Sequence, residues 1–331
     1  MKTFGKLSLM MLSAVALTAC VVKSASESST DAQEQTMYVA TEGLAFADPF
    51  ILLDGGTYYA YGTMGDRGIE VYSSSDLKYW EHKGLALDKK DSYAERWFWA
   101  PEVYKVGNRY LMYYSAEERI CVAEAESPVG PFVQKQQVPM YDNGRSIDNS
   151  LFIDADGTPY LYFDRVYDDA GLKVYVAKVN PDLLTIDESS IKLCIERSQD
   201  WEVDWVNEGS FVTKHGDTYY MTYSGNGYTN PGYGIGVATA KSPEGPWTKY
   251  EKNPILQFPE TKDYGRLEGV GHSAMFRDKD GNLRIVFHAH YKPGEVHPRE
   301  MYISTVSFTD DEQPLMQIST ENIFKALVKK Q

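Results

Sequence analysis

One pattern returns five times along this chain, and it limits the fold more than any single residue does. An apolar strand start, a glycine turn and a tyrosine-rich strand appear at 48–63 (DPFILLDGGTYYAYGT) and again at 100–116, 147–165, 207–225 and 271–290. Each copy predicts two short strands joined at Gly56, Gly107, Gly157, Gly216 or Gly281, where a tight turn needs positive φ. A third alternating strand follows each pair, at 69–76, 120–127, 172–179, 235–242 and 301–308. Several of these run into a turn and an aromatic, as in Gly130-Pro131-Phe132 and Gly245-Pro246-Trp247, the start of a fourth strand. The 295 residues from 37 to 331 allow about 59 per repeat. Repeated four-stranded units of this kind predict an all-β chain: a single five-bladed β-propeller over 37–331, with four-stranded blades. No helical period competes with this one.

Composition agrees with the pattern and removes other classes. The 25 tyrosines and 26 glycines favour strands and turns over helices. The 47 acidic residues outnumber 33 basic ones for a net charge of −14, which excludes a nucleic-acid partner and a polybasic membrane surface. The expected state is a monomer.

The first residues lie outside this pattern. Lys2 and Lys6 precede an apolar run, Leu7 to Ala19, that is too short to span a bilayer. It ends in Leu17-Thr18-Ala19-Cys20, which resembles the bacterial lipobox. The resemblance implies a signal peptide over 1–19, acylation of Cys20 and a location on the bacterial cell envelope, periplasmic or at the outer-membrane surface. Membrane contact then runs only through that anchor. An ordinary secretory signal with a chance cysteine is the alternative. Residues 20–36, rich in Ser, Glu, Thr and Gln, make a flexible tether. Cys121 and Cys194 remain, and the sequence leaves open whether they pair.

In a propeller the first strand of every blade lines the central channel. Counted back from the turn glycines, Asp48, Trp99 and Glu208 lie eight residues before theirs, and Asp148 and His272 nine before theirs. Three carboxylates from three blades are thus aimed at one small volume, where desolvation and mutual repulsion are costly without a function. A carboxylate pair, one ionised and one protonated, is what cleavage of a glycosidic bond requires.

These residues resemble glycoside hydrolase family 43. The resemblance is carried, in order, by Ala47-Asp48-Pro49, Trp99-Ala100-Pro101-Glu102-Val103, Ser146-Ile147-Asp148, Asn207-Glu208-Gly209 and Gly271-His272. It implies a five-bladed propeller that hydrolyses furanosides and xylosides with inversion, acts on a polysaccharide or oligosaccharide and requires no cofactor. Asp48 matches the general base, Glu208 the general acid, and Asp148 the third carboxylate that tunes the acid. One departure matters: the family's acid commonly stands in Glu-Gly-Pro, whereas here the triplet is Glu208-Gly209-Ser210, so a ring that fixes backbone φ is missing.

Supporting groups carry two readings each. The resemblance puts His272 at the channel centre, often within the water shell of a calcium ion; a neutral imidazole bonded to strand backbone is the other reading. Trp99 is either the aromatic floor under a sugar or a core indole. Arg299 either meets a sugar hydroxyl or a catalytic carboxylate, or is solvated. His288 and His290 share a strand face, which suits metal ligands, but strand packing is favoured. The second-strand tyrosines are expected to pack blades rather than bind sugar. The expected activity is release of terminal pentose, α-L-arabinofuranosyl first. β-Xylosidase, galactan- or galactofuranose-directed hydrolysis, and a non-catalytic glycan-binding propeller are the alternatives.

Overall fold

The computed structural model describes residues 40–167, 171–311 and 315–329. The expected signal peptide, Cys20 and the expected tether lie outside the described residues. The described chain is a five-bladed all-β propeller. Blade 1 runs from its inner strand outward as Ala47–Asp54, Thr57–Thr63, Gly68–Ser74 and Tyr79–Asp88. Blade 3 (Ser146–Ile153, Pro159–Tyr167, Gly171–Val179, Ile186–Ile195) and blade 4 (Asn207–His215, Thr218–Gly225, Gly234–Ala240, Thr248–Lys249) follow the same order. So does blade 5 (Gly271–Arg277, Leu283–Ala289, Glu300–Phe308, Met316–Ile318).

Blade 2 departs from four strands. It holds Trp99–Val106, Arg109–Ala116 and Arg119–Ala125, and the expected fourth strand is reduced to one bridge between Glu124 and Val133. Blade 1 gains strands instead. Leu327–Lys329 lies parallel to its outer strand, and Ala40–Gly43 pairs with that segment. Just upstream, Phe324 and Lys325 pair with Ile303 and Tyr302 of blade 5. One C-terminal segment thus joins the last blade to the first and closes the ring.

The tyrosines repeat because they latch neighbouring blades. Tyr61, Tyr113 and Tyr162 occupy the same place in three successive second strands, and each donates to a backbone carbonyl of the next blade: Pro128, Leu183 and Pro243. Their rings fill the blade interfaces, so a phenol supplies packing area and one directed bond. At the hairpin tips, Asp54 accepts from Tyr110 at 2.7 Å and Asp154 from Tyr219 at 2.6 Å.

A third set of contacts circles the channel. Every inner strand begins with a β-bulge, two residues facing one on the second strand: Asp48-Pro49, Ala100-Pro101, Asp148-Asn149, Gly209-Ser210 and His272-Ser273. The first residue of each pair sits at positive φ, from 43° to 59°. A bulge takes that residue's N–H out of its own ladder, so it needs another acceptor. The preceding blade supplies one each time, from the end of its second strand. Ala100 N–H donates to Thr63 Oγ1, Asp148 to Ser115 Oγ, Gly209 to Asp164 Oδ2, His272 to Ser224 Oγ and Asp48 to His288 Nδ1, at 2.8–3.1 Å.

Register by bulge differs from register by turn glycine. Asp48, Asp148 and His272 share the bulge position with Ala100 and Gly209, whereas Trp99 and Glu208 stand one residue earlier. The glycine is a poor ruler because it holds different places in the turn: Gly56 is the second turn residue in blade 1, whereas Gly107 and Gly216 are the first in blades 2 and 4. Blades 1, 2 and 4 turn in two residues and blades 3 and 5 in five.

Removing one acceptor from the ring strands a buried N–H. Ser115→Ala is expected to lower unfolding stability by about 1–3 kcal/mol, seen as a lower urea midpoint at unchanged slope. An unchanged midpoint would show that the ring bond adds nothing.

Candidate active site

The bulges point alternate side chains into the mouth of the channel. Asp48, Trp99, Asp148, Glu208, His272 and Arg299 line one cavity of about 230 Å³, completed by Thr63, Ile147 and Tyr228. All six site residues named from sequence in this part of the chain are therefore brought together. Asp48, Asp148, His272 and Arg299 each keep only 8–12% of the side chain exposed.

Arg299 settles against a carboxylate rather than solvent. Its Nη1 donates to Asp48 Oδ1 at 3.0 Å, and its guanidinium lies 4.4 Å from the Tyr228 ring centre. His288, fully buried, accepts the Asp48 N–H at Nδ1, while its Nε2 lies 3.3 Å from Arg299 Nη1. Nδ1 is thus unprotonated and the ring is neutral. Burial and the adjacent Arg299 hold its pKa well below the usual histidine value. His272 sits 3.5 Å from Asp48 and 3.7 Å from Asp148 through Nδ1, and burial lowers its pKa too, against the pull of Asp48.

The carboxyls divide by environment. Burial works to raise the pKa of Asp48, but the Arg299 guanidinium and a hydrogen bond from Thr63 outweigh it and hold the carboxyl well below its ordinary range. Glu208 is pushed up to about 7 by burial and by Asp48, against a hydrogen bond from Tyr233 and the pull of Arg299. The Tyr233 hydroxyl donates to Glu208 Oε1 at 2.8 Å. Asp148 is raised well above its ordinary value by burial and by the charges of Glu208 and Asp48. Near neutral pH the cavity therefore holds an ionised Asp48 and a Glu208 at the edge of protonation.

Gly209 shows how Glu208 is held without the proline ring. Its φ is +57°, and a Cβ there would meet the His272 ring at 2.9 Å, so glycine alone fits. The Asp164 carboxyl accepts its N–H, and Ser210 fills the bulge position where blades 1 and 2 carry Pro49 and Pro101. Trp99 has its own backing. Trp97 stacks on it at 5.8 Å and 16° between planes, and the Arg96 guanidinium lies 4.2 Å from the Trp97 ring.

Sequence reading passed over Asp164, Tyr233 and Tyr228 and assigned His288 to strand packing. Asp164 and His288 stand near the ends of second strands, a place that calls attention to itself only once the ring of bulge bonds is seen. Trp201, Asp204 and Trp205 stay outside the cavity. Trp201 packs on Tyr223, Asp204 accepts from Gly227 and Asn230, and Trp205 lies exposed beside Arg197. Cys121 and Cys194 are both free thiols. Calcium takes six to eight oxygens, and among the described residues no group of three or more His, Cys, Asp and Glu side chains forms a metal site. Asp48, one of the two carboxyls beside His272, is already paired with Arg299.

The raised pKa of Glu208 has a consequence for stability. A carboxyl that ionises at a lower pH when unfolded than when folded stabilises the fold fully below the unfolded value, and that contribution is lost as pH rises through the folded value. For Glu208 the window runs from 4.5 to about 7. Glu208→Gln removes it, so between pH 4 and pH 8 the variant is expected to gain on the wild type by on the order of 3 kcal/mol in denaturant unfolding. Parallel pH profiles for the two proteins would contradict the assignment.

Comparison with known proteins agrees with this geometry. The model for Glycosyl hydrolases family 43 matches residues 43–314. A Bacteroides thetaiotaomicron structure described as an endo-1,4-beta-xylanase superposes with a TM-score of 0.80 at 43% identity, covering 87% of this chain and 98% of that one. The β-D-galactofuranosidase of Aspergillus niger is 25% identical over 273 residues, 74% of each chain. A xylosidase/arabinosidase of Bacteroides ovatus is 25% identical over 253 residues, 61% of this chain and 76% of that one. No cofactor is needed in this family. With a matching model over most of its length and a carboxyl-lined channel mouth, the chain belongs to glycosyl hydrolase family 43 and is an enzyme that acts on glycosidic bonds.

Proposed function

We propose that this enzyme removes terminal pentose residues, α-L-arabinofuranosyl first, from plant-type polysaccharides or oligosaccharides with inversion at the anomeric carbon. The observation that carries the reading is a cavity of about 230 Å³ that presents an ionised carboxylate and a protonated one together. A space of that size suits one sugar ring better than a run of them. Asp48, kept ionised by Arg299, takes the proton from the attacking water. Glu208 gives its proton to the leaving oxygen. Asp148 repels charge on Glu208 and so keeps the acid loaded. Trp99, stiffened by Trp97, offers a flat face to the apolar side of the ring, while His272 and Arg299 border the same space. Among the relatives, the xylosidase/arabinosidase fits this reading directly, and the galactofuranosidase acts on another five-membered ring. Endo-acting arabinanases also stand among the relatives, so cleavage within a chain is the second reading.

A panel of aryl arabinofuranoside, xyloside, galactoside and galactofuranoside separates these readings, with NMR of the first-formed anomer reporting inversion. Arabinofuranoside is expected to be cleaved fastest. Asp48→Asn and Glu208→Gln are each expected to cut turnover by about 10²–10⁴, and wild-type turnover in either would overturn the assignment of base and acid. Turnover should fall as pH rises through about 7, where Glu208 loses its proton. Release of internal fragments from linear arabinan, with every aryl glycoside inert, would favour the endo mode.

We also propose that the enzyme is exported and held on the cell envelope through an acylated Cys20. Labelling with a clickable fatty acid should mark the wild type and not Cys20→Ser; equal labelling of both would remove the anchor.

A further inference from the structure

The acceptor that closes the ring of bulge bonds is Thr63, Ser115, Ser224 or His288 in four blades, and a carboxyl only in blade 3. We propose that Asp164 is a positioning residue for hydrolysis: one of its oxygens fixes the backbone after Glu208, and the other shares a proton with Asp148, so that the two aspartates act as one unit beside the acid. This rests on Glu208 being the general acid and Asp148 the carboxylate that tunes it.

The geometry is specific. Asp164 is fully buried, and its Oδ2 accepts the Gly209 N–H at 2.9 Å. Its Oδ1 is buried without a hydrogen-bond partner among the described residues, and the Asp148 carboxyl is its neighbour. Two ionised carboxylates side by side would repel and leave that oxygen unsatisfied, whereas a proton on one of the pair supplies the missing hydrogen bond. The neighbours show which. Asp148 faces Glu208, Asp48, Arg299 and the neutral His272, while Asp164 faces Asp148, Glu208 and the Cys194 thiol. Arg299, the cation at the cavity, is paired with Asp48. Asp148 feels the pull of Arg299 and gains by accepting the hydrogen bond, whereas the side chains that act most on Asp164 are carboxyls. The proton therefore rests on Asp164 and the charge on Asp148. Without a donor from Asp164, Asp148 would take up a proton itself, and the repulsion that keeps Glu208 loaded would go.

Two substitutions separate this role from a structural one. Asp164→Asn keeps both bonds, its amide oxygen accepting from Gly209 and its NH₂ donating to Asp148. Asp164→Val removes both the acceptor for Gly209 and the donor for Asp148. Asp164→Asn is expected to keep the wild-type alkaline limb of kcat/KM. Asp164→Val should shift that limb down by about one pH unit and lower kcat about tenfold or more with KM within about twofold. A substrate-free readout stands beside these. Infrared spectra at pH 8 should show one protonated-carboxyl band in the wild type that Asp164→Asn lacks. A wild-type limb and rate in Asp164→Val, or equal carboxyl bands in the wild type and Asp164→Asn, would overturn the proposal. The infrared result decides it even if no glycoside is cleaved. Intact glycosidase activity with equal bands would sink the shared proton alone and leave the hydrolase reading in place.

Discussion

Everything at the channel mouth depends on one recurring bond, from the N–H of a bulged residue to a side chain near the end of the preceding blade's second strand. A bulge bends the strand and turns its first residue inward at positive φ, a conformation that costs energy and persists only where the surroundings determine it. The cross-blade bond supplies that determination. It holds the backbone of Asp48, Asp148 and His272 directly, and that of Glu208 through its neighbour Gly209. The same bond runs between blades, so site geometry and ring closure cannot be varied independently. The C-terminal segment that stitches blade 5 to blade 1 keeps the fifth bond, from Asp48 to His288, in register with the other four.

Within that frame the electrostatics are uneven by construction. Four carboxyls, Asp48, Asp148, Asp164 and Glu208, share the site with Arg299 as the cation that lines it. The guanidinium goes to Asp48, which stays ionised, and the remaining carboxyls must manage with neutral donors: Tyr233 for Glu208 and the Gly209 N–H for Asp164. Neutral donors offset only part of the desolvation cost, so protons stay on this side of the cavity. The separation of a charged base from a protonated acid follows from where one arginine is placed. The two buried imidazoles do not disturb it, because burial keeps both neutral.

Much of this was legible in the chain. The five repeats announce five blades, and the strand-start motifs bring Asp48, Asp148, Glu208, Trp99 and His272 into one channel. Arg299 was a single residue with two readings, and its choice of Asp48 needed the final blade in place. The glycine count misassigned phase because Gly56 is the second residue of its turn and Gly107 and Gly216 the first of theirs, which puts them at different distances from the bulge. Blade 2 lost its fourth strand although Gly130-Pro131-Phe132 looks like the start of one; the chain there leaves the blade after a single bridge. Asp164 was hidden for a different reason. In the sequence it is one more acid near the end of a tyrosine-rich strand, and its neighbours Asp148 and Gly209 lie far from it along the chain.

The sequence by itself determined the architecture and the chemistry on offer, because repeat period, turn residues and strand-start motifs are local signals that survive without a fold. Tertiary structure alone decided which carboxyl is charged. A pKa depends on burial and on groups a few ångströms away, and here those groups lie apart along the chain: Arg299 reaches Asp48 from another blade, while Tyr233 meets Glu208 and Asp164 meets Asp148 from elsewhere in the same blade.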